Sequence, residues 1–289
     1  MITRRHFIAG AAGMMAAGRA GANPLGLPIG LQLYTIGDAV NRDFDGALRT
    51  VAATGYRAVE GGLSLAGRDA KALKAAYSGL GLAWDSAHCG GDELRGGLGQ
   101  TIETAHTVGL KFLVCPFPLI PASMKDVMTG IRLDDWKANA DLFNRIGSRM
   151  QAAGITFAYH NHNIDFRTYE GVVGYDTLLA RTDPKLVKLE LDCGWVVSAG
   201  LDPVAYLARY PDRYVMLHLK DLLRDHIPNT DLKMTSTELG KGIVDWPRLL
   251  RAAGKTSVKG LYVEQEPPFS GSSLDSVRAS FDYLKAIQM

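Results

Sequence analysis

An amphipathic helix, a glycine stop and a short apolar strand recur along this chain, and that repetition constrains its fold more than any single motif. Phe44, Leu48, Val51 and Ala52 share helical spacing behind a capping Asp43, and Gly55 ends the helix before a strand at 57–60. The next helix runs to Gly81 and feeds a strand at 82–87. Leu94, Leu98, Ile102, Ala105 and Val108 mark a third, stopped by Gly109 before 111–115. Trp136, Ala140, Phe143, Ile146 and Met150 mark a fourth, capped by Asp134 and stopped by Gly154 before the stretch 155–166. Shorter helices at 175–180 and 203–209 lead to strands at 186–193 and 213–220. A long loop at 222–242, a helix at 246–253, a strand at 259–264 and a helix at 274–287 complete the chain. Counting 29–34 as the first strand, eight strands alternate with eight helices. Segments such as LVKLELD and GLYVE are apolar enough to be covered on both faces, as parallel strands are. The pattern predicts one (β/α)8 TIM barrel over residues 23–289, with no linker dividing it.

Such barrels do their chemistry at the C-terminal ends of the strands. Read in order, those ends offer Gln32, Glu60, Asp85 with His88, Cys115, His160 with His162, Asp192, His218 with Lys220, and Glu264 with Glu266. The fifth stretch, ITFAYHNHNIDF, puts two histidines two positions apart, so an extended backbone projects both to one face. His160, Asp192, His218 and Glu264 end four adjacent strands. Two imidazoles with two carboxylates suit one divalent ion of Mn, Co, Zn or Fe, and suit Mg or Ca less. A metal-free ion-pair network is the alternative, and it would leave costly unpaired charge in the barrel mouth.

Of the rim groups, Glu264, His162, Lys220 and Glu60 are the candidates for taking up or giving a proton. Each also has a structural reading: Lys220 as partner of Asp221, Glu60 as a satisfied barrel carboxylate, His162 as a core hydrogen-bonder. His88, Trp195 and Glu266 are candidate substrate contacts, Trp195 by stacking on a ring face. Gly240 and Gly242 could present N–H groups to a phosphate, but a plain loop accounts for them as well.

The N-terminus reads differently. Thr3-Arg4-Arg5-His6-Phe7, a weakly apolar run to Ala17 and the small-residue site Ala20-Gly21-Ala22 form a twin-arginine signal pattern over 1–22. That predicts handling by the Tat export machinery and a periplasmic protein. Removing Arg4, Arg5 and Arg19 takes Lys+Arg from 32 to 29 against 30 Asp+Glu, a formal net charge of −1. A chain without basic excess is a poor nucleic-acid binder. No second apolar run is long enough to span a membrane. Cys89, Cys115 and Cys193 are odd in number, lack C-x-x-C spacing and read as small buried side chains.

YHNHNIDF, LELDCGWVVSAGLDP, LHLKD, LGKGIVDW and YVEQE together resemble the sugar phosphate isomerase/epimerase family with the xylose isomerase-like barrel. The resemblance spans 23–289. It implies one divalent metal held by Asp192, His218, Glu264 and a ligand from the fifth strand, and a keto- or hydroxy-sugar chelating it through adjacent oxygens. Epimerases of the family carry a glutamate at that fifth-strand position and use it with the eighth-strand glutamate as a two-carboxylate proton relay. Here the position is His160, which puts the symmetric relay in doubt. Sequences with the YHNH pattern also tend to carry Glu where this one has Asp165. The expectation is a metal-dependent isomerase or epimerase of an unphosphorylated sugar or ketosugar. The alternatives are a 3-keto-glycoside or inosose-type lyase and a non-catalytic periplasmic sugar-binding barrel. Abasic-DNA endonucleases share the barrel, but near-neutral charge and export argue against them.

Overall fold

A computed structural model describes residues 23–288; the twin-arginine pattern lies outside the described residues. Eight strands form the barrel: β1 Ile29–Gln32, β2 Ala58–Gly62, β3 Ala83–His88, β4 Phe112–Cys115, β5 Thr156–His160, β6 Val187–Asp192, β7 Tyr214–Leu219 and β8 Gly260–Val263. Each pairs in parallel with its sequence neighbours, and β1 closes on β8. The helices lie outside and bury one apolar stripe each; Trp136, Ala140, Phe143, Ile146 and Met150 of the helix Leu133–Ala152 are all buried. Asp43 accepts a hydrogen bond from the Gly46 N–H at 3.0 Å, and Gly55, Gly109 and Gly154 all take positive φ where their helices end.

Local side-chain bonds explain where the elements depart from the sequence pattern. The stretch 155–166 is not one strand: β5 stops at His160 and Asn163–Phe166 turns into a 3-10 segment. Asp165 causes this, because one of its oxygens accepts from the His162 N–H at 3.1 Å and the Tyr159 hydroxyl at 2.8 Å. The helix expected over 94–108 breaks in two at Gly96 and Gly97. The helix starting at Leu133 is capped by Asp135, which accepts from the Arg132 N–H at 2.9 Å; Asp134 pairs with Lys137 on the surface. Within the loop at 222–242, Asp221–Leu222 pairs antiparallel with Ser236–Thr237.

Cys89, Cys115 and Cys193 are buried and free. No helix among the described residues is long and apolar enough to cross a membrane.

Candidate active site

Inside a closed barrel, alternate residues of each strand face the axis. On β6 these are Glu190 and Asp192, on β7 His218, with Lys220 just beyond it, and on β2 Glu60; all five are fully buried. The Asp192 carboxylate is set by two neighbours. The Asn161 side chain accepts from the Asp192 N–H at 3.0 Å and donates to its C=O at 3.2 Å, continuing the β5–β6 ladder past the strand end. One Asp192 oxygen accepts from the Trp195 N–H at 2.8 Å, capping the short helix Cys193–Ser198. The other oxygen faces the site, 3.1 Å from Lys220 Nζ and 3.8 Å from His160 Nε2. Gly194 lets that helix sit on β7, since a Cβ there would meet the Lys220 backbone oxygen at 2.8 Å.

His160, Asp192, His218 and Glu264 each bring one ligand atom to within 4.8 Å of the others, the set named from strand ends alone. A second set, His88, His160, Glu190 and His218, shares both of its inner imidazoles. The rings therefore lie between two groups of carboxylates. His160 Nδ1 is 3.0 Å from Glu190, and its Nε2 faces Asp192. His218 Nδ1 is 2.7 Å from Glu264, and its Nε2 is 2.6 Å from Glu60. If the outer set holds an ion, Glu190 and Glu60 accept the remaining imidazole protons and fix each ring's tautomer.

Glu190 is the residue that sequence reasoning missed. One of its oxygens lies 2.9 Å from His88 Nε2, 3.0 Å from His160 Nδ1 and 3.3 Å from His218 Nε2. The signal was available: Glu190 stands two positions before Asp192 on a strand covered on both faces, so the two share the axial side.

The electrostatics fit a cation. Five carboxylates crowd the site: Asp192, Glu264 and Glu266 hold the one ammonium, Lys220, at 3.1, 3.1 and 3.0 Å, while Glu60 and Glu190 face imidazoles instead. Burial and the Glu60 charge raise Glu190, and burial lifts Asp192 to about 6 against the pull of Lys220. Burial would lower His88, but Glu60 and Glu190 overcome it and raise it to about 9. Burial, reinforced by its imidazole neighbours, holds His160 well below the usual range, hence neutral and able to ligate. One oxygen each of Glu60 and Glu190 is buried with no hydrogen-bond partner among the described residues, and the outward oxygen of Asp192 has the Lys220 ammonium at 3.1 Å without an aligned hydrogen bond. Unpaired buried carboxylate oxygens are costly, and a divalent ion would satisfy those beside it.

A cavity of about 730 Å³ opens above this floor, lined by His88, His160, His162, Trp195, Glu264 and Glu266 among others. The candidates Glu60 and Lys220 do not line it. Glu60 is held beneath the imidazoles by Gln32, His88 and His218, and Lys220 is clamped by three carboxylates. Neither side chain presents an atom to a substrate, so any effect passes through its neighbours. Nor does Lys220 pair with Asp221. The Asp221 carboxylate accepts from the N–H groups of Leu222, Gly240, Gly242 and Val244 and from Trp246 Nε1. Those Gly240 and Gly242 donors are thereby consumed, and the glycines form a structural loop. Asp85 is no rim group either; it pairs with Lys111 at the opposite end of the barrel.

His162 stacks on Phe117 with ring centroids 4.1 Å apart and lies 4.9 Å from His160. Burial lowers it to about 3, so its ring is neutral, and Nδ1 is buried without an aligned partner. Asn163 faces away from the mouth and pins a loop: it donates to Asn229 and accepts from the Leu232 N–H at 3.0 Å. The motif His160-Asn161-His162-Asn163 thus alternates two groups at the site with two that hold its walls.

A family description, the xylose isomerase-like TIM barrel, matches residues 48–287. The chain belongs to that family. Among curated relatives, an inosose dehydratase of Geobacillus kaustophilus is 32% identical over 199 residues, covering 63% of each chain. An inosose dehydratase of Clostridium beijerinckii is 28% identical over 148 residues, 46% of this chain and 49% of that protein. The chain thus spans about half the length of the latter relative in that match. A solved sugar phosphate isomerase/epimerase from Parabacteroides distasonis superposes with a TM-score of 0.75 at 25% identity, covering 90% of this family member and 98% of that chain.

Proposed function

We propose that this protein is a divalent-metal-dependent enzyme that removes a proton next to the carbonyl of an unphosphorylated sugar, ketosugar or keto-cyclitol. The observation that carries this reading is the convergence of His160, Asp192, His218 and Glu264 beneath a cavity that Glu264, His162 and Glu266 also line. A divalent ion held by those four would act as a Lewis acid toward the carbonyl oxygen. Glu264 is kept charged: burial opposes this, but Lys220 and His218 prevail and hold it well below the usual carboxylate range. As a ligand it is a weak base; burial makes His162 a weak base too, but its ring is neutral and carries no ligand duty, so it is the uncommitted acceptor beside the substrate.

Of the outcomes open to that first step, we favour elimination. The C–H bond next to the carbonyl breaks and its proton passes to the His162 ring. The electron pair forms a carbon–carbon double bond as the neighbouring C–O bond breaks. His162 then returns the proton to the departing oxygen, which leaves as water or as an alcohol. One imidazole suffices for this, whereas epimerisation needs proton carriers on both faces. The inosose dehydratase relatives support the same branch. An unphosphorylated substrate is supported by the commitment of Gly240 and Gly242 to Asp221.

The test is to assay bound metal in the purified protein and follow keto-cyclitols, 3-keto-glucosides and free ketohexoses in D2O by NMR. Olefinic product with loss of the leaving group supports the lyase; deuterium uptake without cleavage shifts the reading to isomerase or epimerase. Neither, in protein that retains no metal, would sink the enzymatic proposal. We place the reaction in the periplasm on the twin-arginine pattern alone; Arg4→Lys with Arg5→Lys should hold the protein in the cytoplasm.

A further inference from the structure

The cavity has two chemically different halves. Its floor carries the imidazoles and carboxylates, and its upper wall carries Leu65, Phe117, Trp195, Leu232, Met234 and Pro267. Phe117, Trp195 and Met234 line the cavity and belong to neither apolar core cluster of the barrel, whereas Leu65 and Leu232 also pack on the core and the Lys220 ammonium lies 4.9 Å from the Trp195 ring. Phe117, His162 and Trp195 form a continuous aromatic wall: Phe117 stacks on His162 at 4.1 Å and 14°, and His162 meets Trp195 at 5.3 Å. Tyr34, 65% exposed, stands at the rim of the same cavity. Trp195 Nε1 is buried without an acceptor among the described residues.

Size points the same way. Pockets for drug-sized ligands run from about 300 to 1,000 Å³, and 730 Å³ is in the upper part of that range. A single polyol ring, polar on every edge, would fill the floor and leave the apolar wall facing water.

The apolar wall is also built deliberately. Leu232 and Met234 come from a loop that Asn163 ties down through Asn229 and the Leu232 N–H, and Arg167 donates to the Thr230 C=O at 2.9 Å. A loop so fastened holds its apolar side chains at the mouth at a fixed place, which cuts the ordering cost of binding.

We propose that the upper cavity is a subsite for a flat apolar substituent, aromatic by preference, attached to the polar ring that the floor receives. The substrate class is then an aryl-substituted sugar or cyclitol rather than a bare one. This rests on the proposed function for the polar half only. Stacking against the wall orients the ring by a part of the substrate remote from the reacting carbon.

Binding separates the two ideas. Titrate metal-loaded full chain with 4-nitrophenyl β-D-glucoside, methyl β-D-glucoside and myo-inositol by calorimetry, none of which carries a carbonyl to react. The aryl glucoside should bind about 10-fold tighter than the methyl glucoside, the gain of one stacked ring with its buried area. In Leu65→Ser/Met234→Ser that advantage should fall to about threefold or less, with methyl glucoside affinity within about twofold of the parent. Equal affinities in the parent, no binding of the aryl glucoside, or an advantage that survives the double substitution would overturn the subsite. If aryl preference holds while the D2O assay stays silent, the reaction is wrong and the subsite stands. If exchange or elimination occurs without aryl preference, only the subsite falls.

Discussion

The two ends of the barrel are built from the same eight strands and treat charge in opposite ways. At the N-terminal end, Asp85 and Lys111 pair at 2.9 Å with side chains 42% and 66% exposed, beside Lys259 and the ring of Tyr262. Water screens such a pair, and each charge keeps its own solvation. At the C-terminal end, Glu60, Glu190, Asp192, His218 and Lys220 are fully buried within 2.6–3.3 Å of partners. No domain holds that much ionisable surface out of water for stability alone, since an apolar filling of equal volume would serve as well or better. The contrast teaches that the fold permits charge at either end, and that burial marks the end with a chemical task.

Substitutions at the two ends should differ by orders of magnitude. Asp192→Asn should reduce bound metal to background and lower turnover by about 10³-fold or more, as removing a directly acting group does; elemental analysis and the NMR assay check both. Retained metal with near-normal turnover would break the assignment. Glu190→Gln keeps the shape but weakens the acceptor beneath three imidazoles. Outer-shell losses run about 10–100-fold in metal affinity or activity, and metal titration of the variant would show it.

Loosening a wall should cost less than removing the floor. Asn163→Ala unties the loop carrying Leu232 and Met234, so KM should rise about tenfold with a smaller change in kcat, the pattern of lost ground-state binding. Amide exchange at 226–234 should quicken in parallel, and unchanged exchange would argue against the tether.

The pH dependence of stability offers a finer comparison. Burial raises Asp165 to about 8, so the folded chain holds a proton that the unfolded chain loses near the ordinary value of 3.8. Between those values the native state binds more protons, and its contribution is present at low pH and lost as pH rises toward 8. Asp165→Asn should therefore gain on the parent as pH goes from 5 to 8.5, by about 2–4 °C in Tm for each kcal/mol relieved. A constant difference across that range would contradict a neutral Asp165. Smallest of all, Asp85→Ala should change stability by no more than ~0.5 kcal/mol and leave turnover alone.

Much of this was legible in the sequence because strand and helix periods are local. The glycines after each helix and the apolar strands define the eight repeats. Counting strand ends brought His160, Asp192, His218 and Glu264 to one rim, where the structure has them within 4.8 Å. The same count failed for Asp85, since it cannot tell the third residue of β3 from its end. The count put Lys220 with His218 on the rim, and the alternative reading of Lys220 as partner of Asp221 fails because adjacent strand residues point to opposite sides. Glu190 is not a strand end: it lies two residues inside its strand, before Asp192, and only the axial alternation of a closed barrel brings it to the site.

The sequence by itself determined the repeat, and through it the barrel, because helical and strand periodicity are written in residues three to four or two positions apart. It also determined which strands deliver imidazoles and carboxylates. Only the tertiary structure decided how those groups divide the work. Glu190 receives three imidazole nitrogens from β3, β5 and β7, Asp221 is saturated by donors from 222 to 246, and Phe117 and Met234 share one cavity with Trp195. Apart from the Leu222 donor, these are meetings of residues well separated in the chain, and barrel closure brings the imidazoles and carboxylates together out of water, where unpaired charge costs most.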